Sequence, residues 1–164
     1  MKARFKYRIY PTPGQKYRLA KLFGCVRVVW NDSLACCQEK YQLGEKKPTN
    51  SELQKQLITQ SKNTEDREWL SEVSAIPLQQ SLNDLNQAYQ NFFKSTKGQR
   101  KGRPIRPPKF KSRKSKQTAR FTKGGFKVCQ HKVYLAKIGR LKIVSPVRFT
   151  CCSIISNSNQ RFRS

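Results

Sequence analysis

Beyond Asp84 the chain has no acid at all, while eighteen Lys or Arg residues fall between Lys94 and Lys142. A basic stretch without carboxylates cannot neutralise itself and calls for a polyanionic partner, for which a phosphate backbone is the usual candidate. The same lack argues against phosphodiester cleavage, because Mg²⁺ chemistry on phosphates draws on a cluster of carboxylates. Asp32 and Asp84 sit on helical patterns with no acidic partner in sequence that would complete such a cluster. The six cysteines (Cys25, Cys36, Cys37, Cys129, Cys151 and Cys152) form no C-x-x-C pair, and the chain has a single histidine, His131. Neither a zinc knuckle nor a disulfide framework is expected from that spacing. No apolar run approaches the roughly 18 residues of a spanning helix. The opening MKARFKYRIYPT alternates basic and apolar residues, unlike a signal peptide or an anchor. These absences predict a cytoplasmic, nucleoid-associated protein with reduced thiols, no membrane partner and no cofactor.

What is present is charge. The chain has 164 residues, a formal net charge of +26, a pI near 10.4 and 36% apolar residues. That length suits one domain or two small lobes. A ribosomal or nucleoid protein held by phosphates alone is the simplest reading of such a composition.

Ala3, Phe5, Tyr7 and Ile9 alternate with Arg4, Lys6 and Arg8, which predicts a half-buried strand with one basic face. Thr12 and Pro13 supply an N-cap and a first-position proline for a helix. Leu19, Leu22, Phe23, Val26, Val29, Trp30 and Leu34 form its apolar stripe. Gly24 interrupts that stripe at a point where the helix can bend or divide, giving a helix-turn-helix-like start. Leu53, Leu57 and Ile58 carry helical spacing over Ser51 to Ser61. Pro77 opens a further helix, with Leu78, Leu82, Leu85, Tyr89, Phe92 and Phe93 on one side and an amide-rich face bearing Gln79 and Gln80. From Ser95 to Lys116 the composition is Gly-, Pro- and Lys/Arg-rich, and the segment is expected to be extended unless bound. Four short alternating runs follow, Thr118 to Thr122, Phe126 to Gln130, Val133 to Lys137 and Arg140 to Val144. Gly124-Gly125, Gln130-His131 and Ile138-Gly139 separate them as tight turns. After Ser145-Pro146 a Ser/Asn-rich stretch shows no clean period.

Five motifs occur in order: FKYRIYPTPGQ, FGCVRVVWN, PLQQSLNDLNQAYQNFF, PPKFKS and KVYLAKIGRLKI. Together they resemble the front of TnpB proteins, the transposon-encoded relatives of compact RNA-guided nucleases, over Lys2 to Val144. The resemblance implies an α+β fold: a small antiparallel, wedge-like β-barrel interrupted by a helical recognition lobe. The expected division is a β lobe (1–10 and 118–144), a helical lobe (11–95), a basic linker (96–117) and an atypical tail (145–164). The resemblance also implies a structured guide RNA and target DNA as partners. In that family three carboxylates hold Mg²⁺ and four cysteines hold Zn²⁺ in a downstream nuclease domain. Those residues have no counterpart here, so the expectation is a truncated member without catalytic residues, its tail altered by a frameshift or transposon decay.

On this reading Arg100, Lys101, Arg103, Arg106, Lys109, Lys111, Arg113 and Lys114 clamp phosphates, which positions a nucleic acid without reading its sequence. Phe110 and Phe121 are placed to stack on a base or to pack as core, with core the expected role for Phe121. Gln79 and Gln80 would touch a flanking DNA motif, unless their face is merely solvated. Two alternatives stand beside this one: a metal-dependent transposase or RNA-guided endonuclease, and a helix-turn-helix duplex-DNA binder using Thr12 to Tyr41.

Overall fold

The computed structural model of the chain describes residues 7–129 and 132–144, together with the backbone of 160–163. The predicted Gln130-His131 turn, the start of the first strand and residues 145–159 lie outside the described residues. Strand β1 (Arg8–Tyr10) leads into α1 (Pro13–Gln42) and then α2 (Asn50–Gln54). A π-helical turn, Lys55–Gln60, and two 3-10 stretches, Ser61–Asn63 and Glu65–Glu72, connect α2 to α3 (Ala75–Thr96). Then come β2 (Thr118–Phe121), β3 (Phe126–Cys129), β4 (Lys132–Leu135), β5 (Gly139–Val144) and β6 (Gln160–Arg163).

Helix α1 corrects one expectation. Its 30 residues pass through Gly24 without a break, so the helix-turn-helix-like division does not occur there. A mid-helix glycine costs about 1 kcal/mol relative to alanine. Burial on both sides of it, Leu19 and Leu22 before and Val26, Val29 and Leu34 after, outweighs that cost. Pro13 occupies the first turn, and the Thr12 N–H donates to Gln15 Oε1 at 3.0 Å. Helix α3 begins at Ala75, ahead of the start expected at Pro77. The proline falls within the first turn, where no N–H is needed.

The strands form an open sheet in the order β1-β5-β4-β3, every neighbour antiparallel. The N-terminal strand therefore does share a sheet with the C-terminal hairpins, in the register Arg8↔Val144 and Tyr10↔Lys142. The expected barrel is not closed by the described strands. Strand β2 leaves the sheet and pairs instead with β6, which falls in the stretch read as an atypical tail. Gly124 turns the chain between β2 and β3 at φ 93°, a conformation that suits glycine, and Gly125 has Ile76 and Phe121 where a Cβ would point.

One core serves both halves. Leu22, Val26 and Val29 of α1, Leu78 and Leu82 of α3, and Val133, Leu135, Leu141 and Ile143 on the inner sheet face are buried in one cluster, with Phe121 fully enclosed. Its alternation along β4 and β5 leaves the other sheet face to solvent.

Candidate nucleic-acid interface

The basic segment between α3 and β2 has no regular structure, as its prolines dictate, yet it is not a detached tether. Helix α1 fastens it. Trp30 Nε1 donates to the Lys109 carbonyl at 3.0 Å. Asn31 Nδ2 donates to the Lys111 carbonyl at 3.1 Å, and Asn31 Oδ1 accepts the Lys111 N–H at 2.8 Å. The Lys111 ammonium lies 3.7 Å from the centre of the Trp30 ring, a close cation–π contact. Upstream, the Ile105 N–H donates to Ser95 Oγ at 3.0 Å. The expectation of an extended segment awaiting a partner is thus corrected: its middle already has one, in the chain's own first helix.

This strap sets the predicted cations in place. Arg100, Lys101, Arg103, Arg106, Lys109, Arg113 and Lys114 are exposed, while Lys111 is half-buried against Trp30. Phe110 is 55% exposed between them, free to meet a flat partner, whereas Phe121 belongs to the core. Gln79 is exposed and Gln80 half-buried on α3, and among the described residues neither amide makes a side-chain hydrogen bond.

Four of the acids are committed to ion pairs elsewhere. Asp32 pairs with Arg67 at 2.6 Å and Asp84 with Arg120 at 2.6 Å, while Glu72 pairs with Lys21 and Glu45 with Lys40. Among the described residues, no three His, Cys, Asp or Glu side chains come together in a way that could hold a metal ion. Burial pushes the Cys25 thiol up from 9.0 to about 11, against the weaker opposing pull of Lys21. Burial lowers the Lys62 ammonium, with help from the Lys137 charge.

Trp30 and Asn31 were not singled out as functional from sequence, although they end the FGCVRVVWN motif. The structure gives that motif a physical role, since it grips PPKFKS. The other motifs interlock in the same manner: Gln15 Nε2 donates to the Arg140 carbonyl at 2.8 Å, and Ser81 Oγ donates to the Val26 carbonyl at 3.1 Å. Side-chain hydrogen bonds therefore tie the five stretches in two sets, the first with the fifth and the second with the third and fourth, and helix α1 and the shared core join the sets.

A family model described as the helix-turn-helix domain of IS605-type OrfB proteins matches residues 1–46. A Streptomyces pristinaespiralis protein named as an RNA-guided DNA endonuclease is 37% identical over 138 residues, 84% of this chain and 32% of the relative. InsQ of Escherichia coli (strain K12), also named as an RNA-guided DNA endonuclease, is 30% identical over 140 residues, again 84% of this chain and 32% of the relative. The virulence protein VsdF of Salmonella dublin is 34% identical over 94 residues, 54% of this chain and 79% of that protein. The chain spans about a third of the length of the two endonuclease relatives. Among the described residues no helix is long and apolar enough to cross a membrane. With its five motifs folded into one unit and its relatives matched along most of its length, the chain belongs to the TnpB family of transposon-encoded proteins.

Proposed function

We propose that this chain is the nucleic-acid-binding N-terminal portion of a TnpB-like protein, holding guide RNA and target DNA without a cleavage centre of its own. The observation that carries this reading is the strap: seven exposed cations from Arg100 to Lys114, held on α1 by Trp30 and Asn31, with every acid of the chain lying before it in sequence. Fixing the backbone in advance lowers the ordering cost of binding. The open sheet would be part of the family's wedge-like barrel. Gln79 and Gln80 would lie against the flanking DNA motif. Mg²⁺ and Zn²⁺ would be held by parts of a full-length relative that have no match here, and a matched DNA target should stay uncut by this chain in Mg²⁺.

The test is the salt dependence of RNA binding. Six to eight phosphate contacts give a slope of log K against log salt of roughly −4 to −7. Replacing Arg103, Arg106 and Lys109 by Gln should flatten it by about 2 to 3 and weaken unrelated RNA sequences equally. An unchanged slope would remove the strap from the binding surface.

A second reading, duplex-DNA binding through residues Thr12 to Tyr41, is favoured by the family match over 1–46. Competition between structured RNA and duplex DNA for the purified chain separates the two.

A further inference from the structure

The outer face of the four-stranded sheet is built unlike an ordinary solvated surface. One cross-strand row runs Lys127–Tyr134–Arg140, with Tyr134 directly opposite a cation on either side. The next runs Lys132–Lys142–Tyr10. All six side chains are exposed, and the two tyrosines are 45% and 49% exposed. Lys132 stands directly opposite Lys142, a like-charge pairing that destabilises a sheet. Among the described residues no ion pair reaches this face, and the strands β1 to β6 contain no Asp or Glu that could relieve it. Surfaces that only face water intersperse both signs. A face with aromatic rings between cations, and no counter-charge, suits a partner that brings flat rings and negative charge together.

We propose that this sheet face holds an unpaired RNA segment, with bases stacked on Tyr10 and Tyr134 and phosphates against Lys127, Lys132, Arg140 and Lys142. From strand spacing and rise the two tyrosines are roughly 12 Å apart, so they serve different bases. A duplex keeps its base faces covered and could use only the cations, which is why the tyrosines favour an unpaired strand. RNA is chosen over DNA because the inference rests on the RNA-binding reading above; the surface itself is separate from the strap.

The experiment measures binding of the full chain to a labelled single-stranded RNA 12-mer and to an RNA duplex of equal length. Tyr10→Leu with Tyr134→Leu should weaken the single strand roughly 10- to 100-fold while leaving its salt slope unchanged, because stacking releases no counterions. Duplex affinity should hold, and Tyr10→Phe with Tyr134→Phe should retain single-strand binding. Lys132→Gln with Lys142→Gln should flatten the slope by about 1 to 2 and raise the melting temperature by relieving the like-charge pair. If the leucine variant fails to fold, this lysine pair decides, and an unchanged slope overturns the proposal. Full single-strand affinity in a folded leucine variant, with loss only when Arg103, Arg106 and Lys109 are replaced, overturns the sheet site and leaves the strap reading standing. A wild-type chain that binds no RNA overturns both.

Discussion

Asn31 holds the backbone of Lys111 with both ends of its amide, donating to the carbonyl at 3.1 Å and accepting from the N–H at 2.8 Å. A side chain that copies the pairing of a neighbouring strand can fix a segment whose own prolines forbid one.

Asn31→Ala should therefore loosen the strap more than it unfolds the protein. Two part-buried hydrogen bonds are worth about 1 to 3 kcal/mol together. Limited trypsin digestion should cut after Lys109 and Arg113 much faster in the variant. Equal cutting rates would show that Trp30 and packing suffice without the amide.

Gly24→Ala distinguishes an unbroken α1 from a divided one. Nothing lies within 4 Å of a Cβ added there. Alanine in a continuous helix should stabilise the chain by about 0.5 to 1 kcal/mol. Denaturant unfolding gives the answer directly. A loss of stability would place a turn at Gly24.

The Asp84–Arg120 pair joins α3 to β2, with side chains only 28% and 18% exposed. Asp84→Asn leaves a partly buried guanidinium without its counter-charge and should cost about 1 to 3 kcal/mol. Adding Arg120→Gln should recover part of that loss, since a removed pair costs less than a broken one. A double-mutant cycle in urea measures the coupling, and simple additivity would mean that the two do not interact.

Cys25 should resist alkylation at pH 8 while exposed Cys129 reacts. Burial holds the Cys25 thiol protonated up to about 11, so the folded state binds a proton that the unfolded state releases near 9. The stabilisation from this group is complete below pH 9 and is lost as pH rises through about 11. Mass mapping after brief alkylation checks the order of reaction. Simultaneous labelling of both cysteines would contradict it.

Periodicity made the strands legible. Alternation around Val133, Leu135, Leu141 and Ile143 placed β4 and β5 to within a residue or two, because one face is core and the other solvent. It also showed that the first strand needed partners. It misjudged α1, where a local signal at Gly24 lost to burial on both sides. The strap was hidden for a different reason. A clamp between Asn31 and Lys111 joins residues 80 apart, and no local pattern announces a side-chain amide that reaches a distant backbone. The pairing of β2 with β6 was equally invisible, since the Ser/Asn-rich stretch before β6 shows no period.

The edge position of β1 has a consequence for synthesis. Arg8 waits for Val144, so during translation the first strand leaves the ribosome well before the strand that completes it. At about 5 to 20 residues per second, that interval is on the order of ten seconds. Helices α1 and α3 are finished in the meantime, and their exposed apolar sides must remain soluble until the hairpin β4–β5 arrives to cover them.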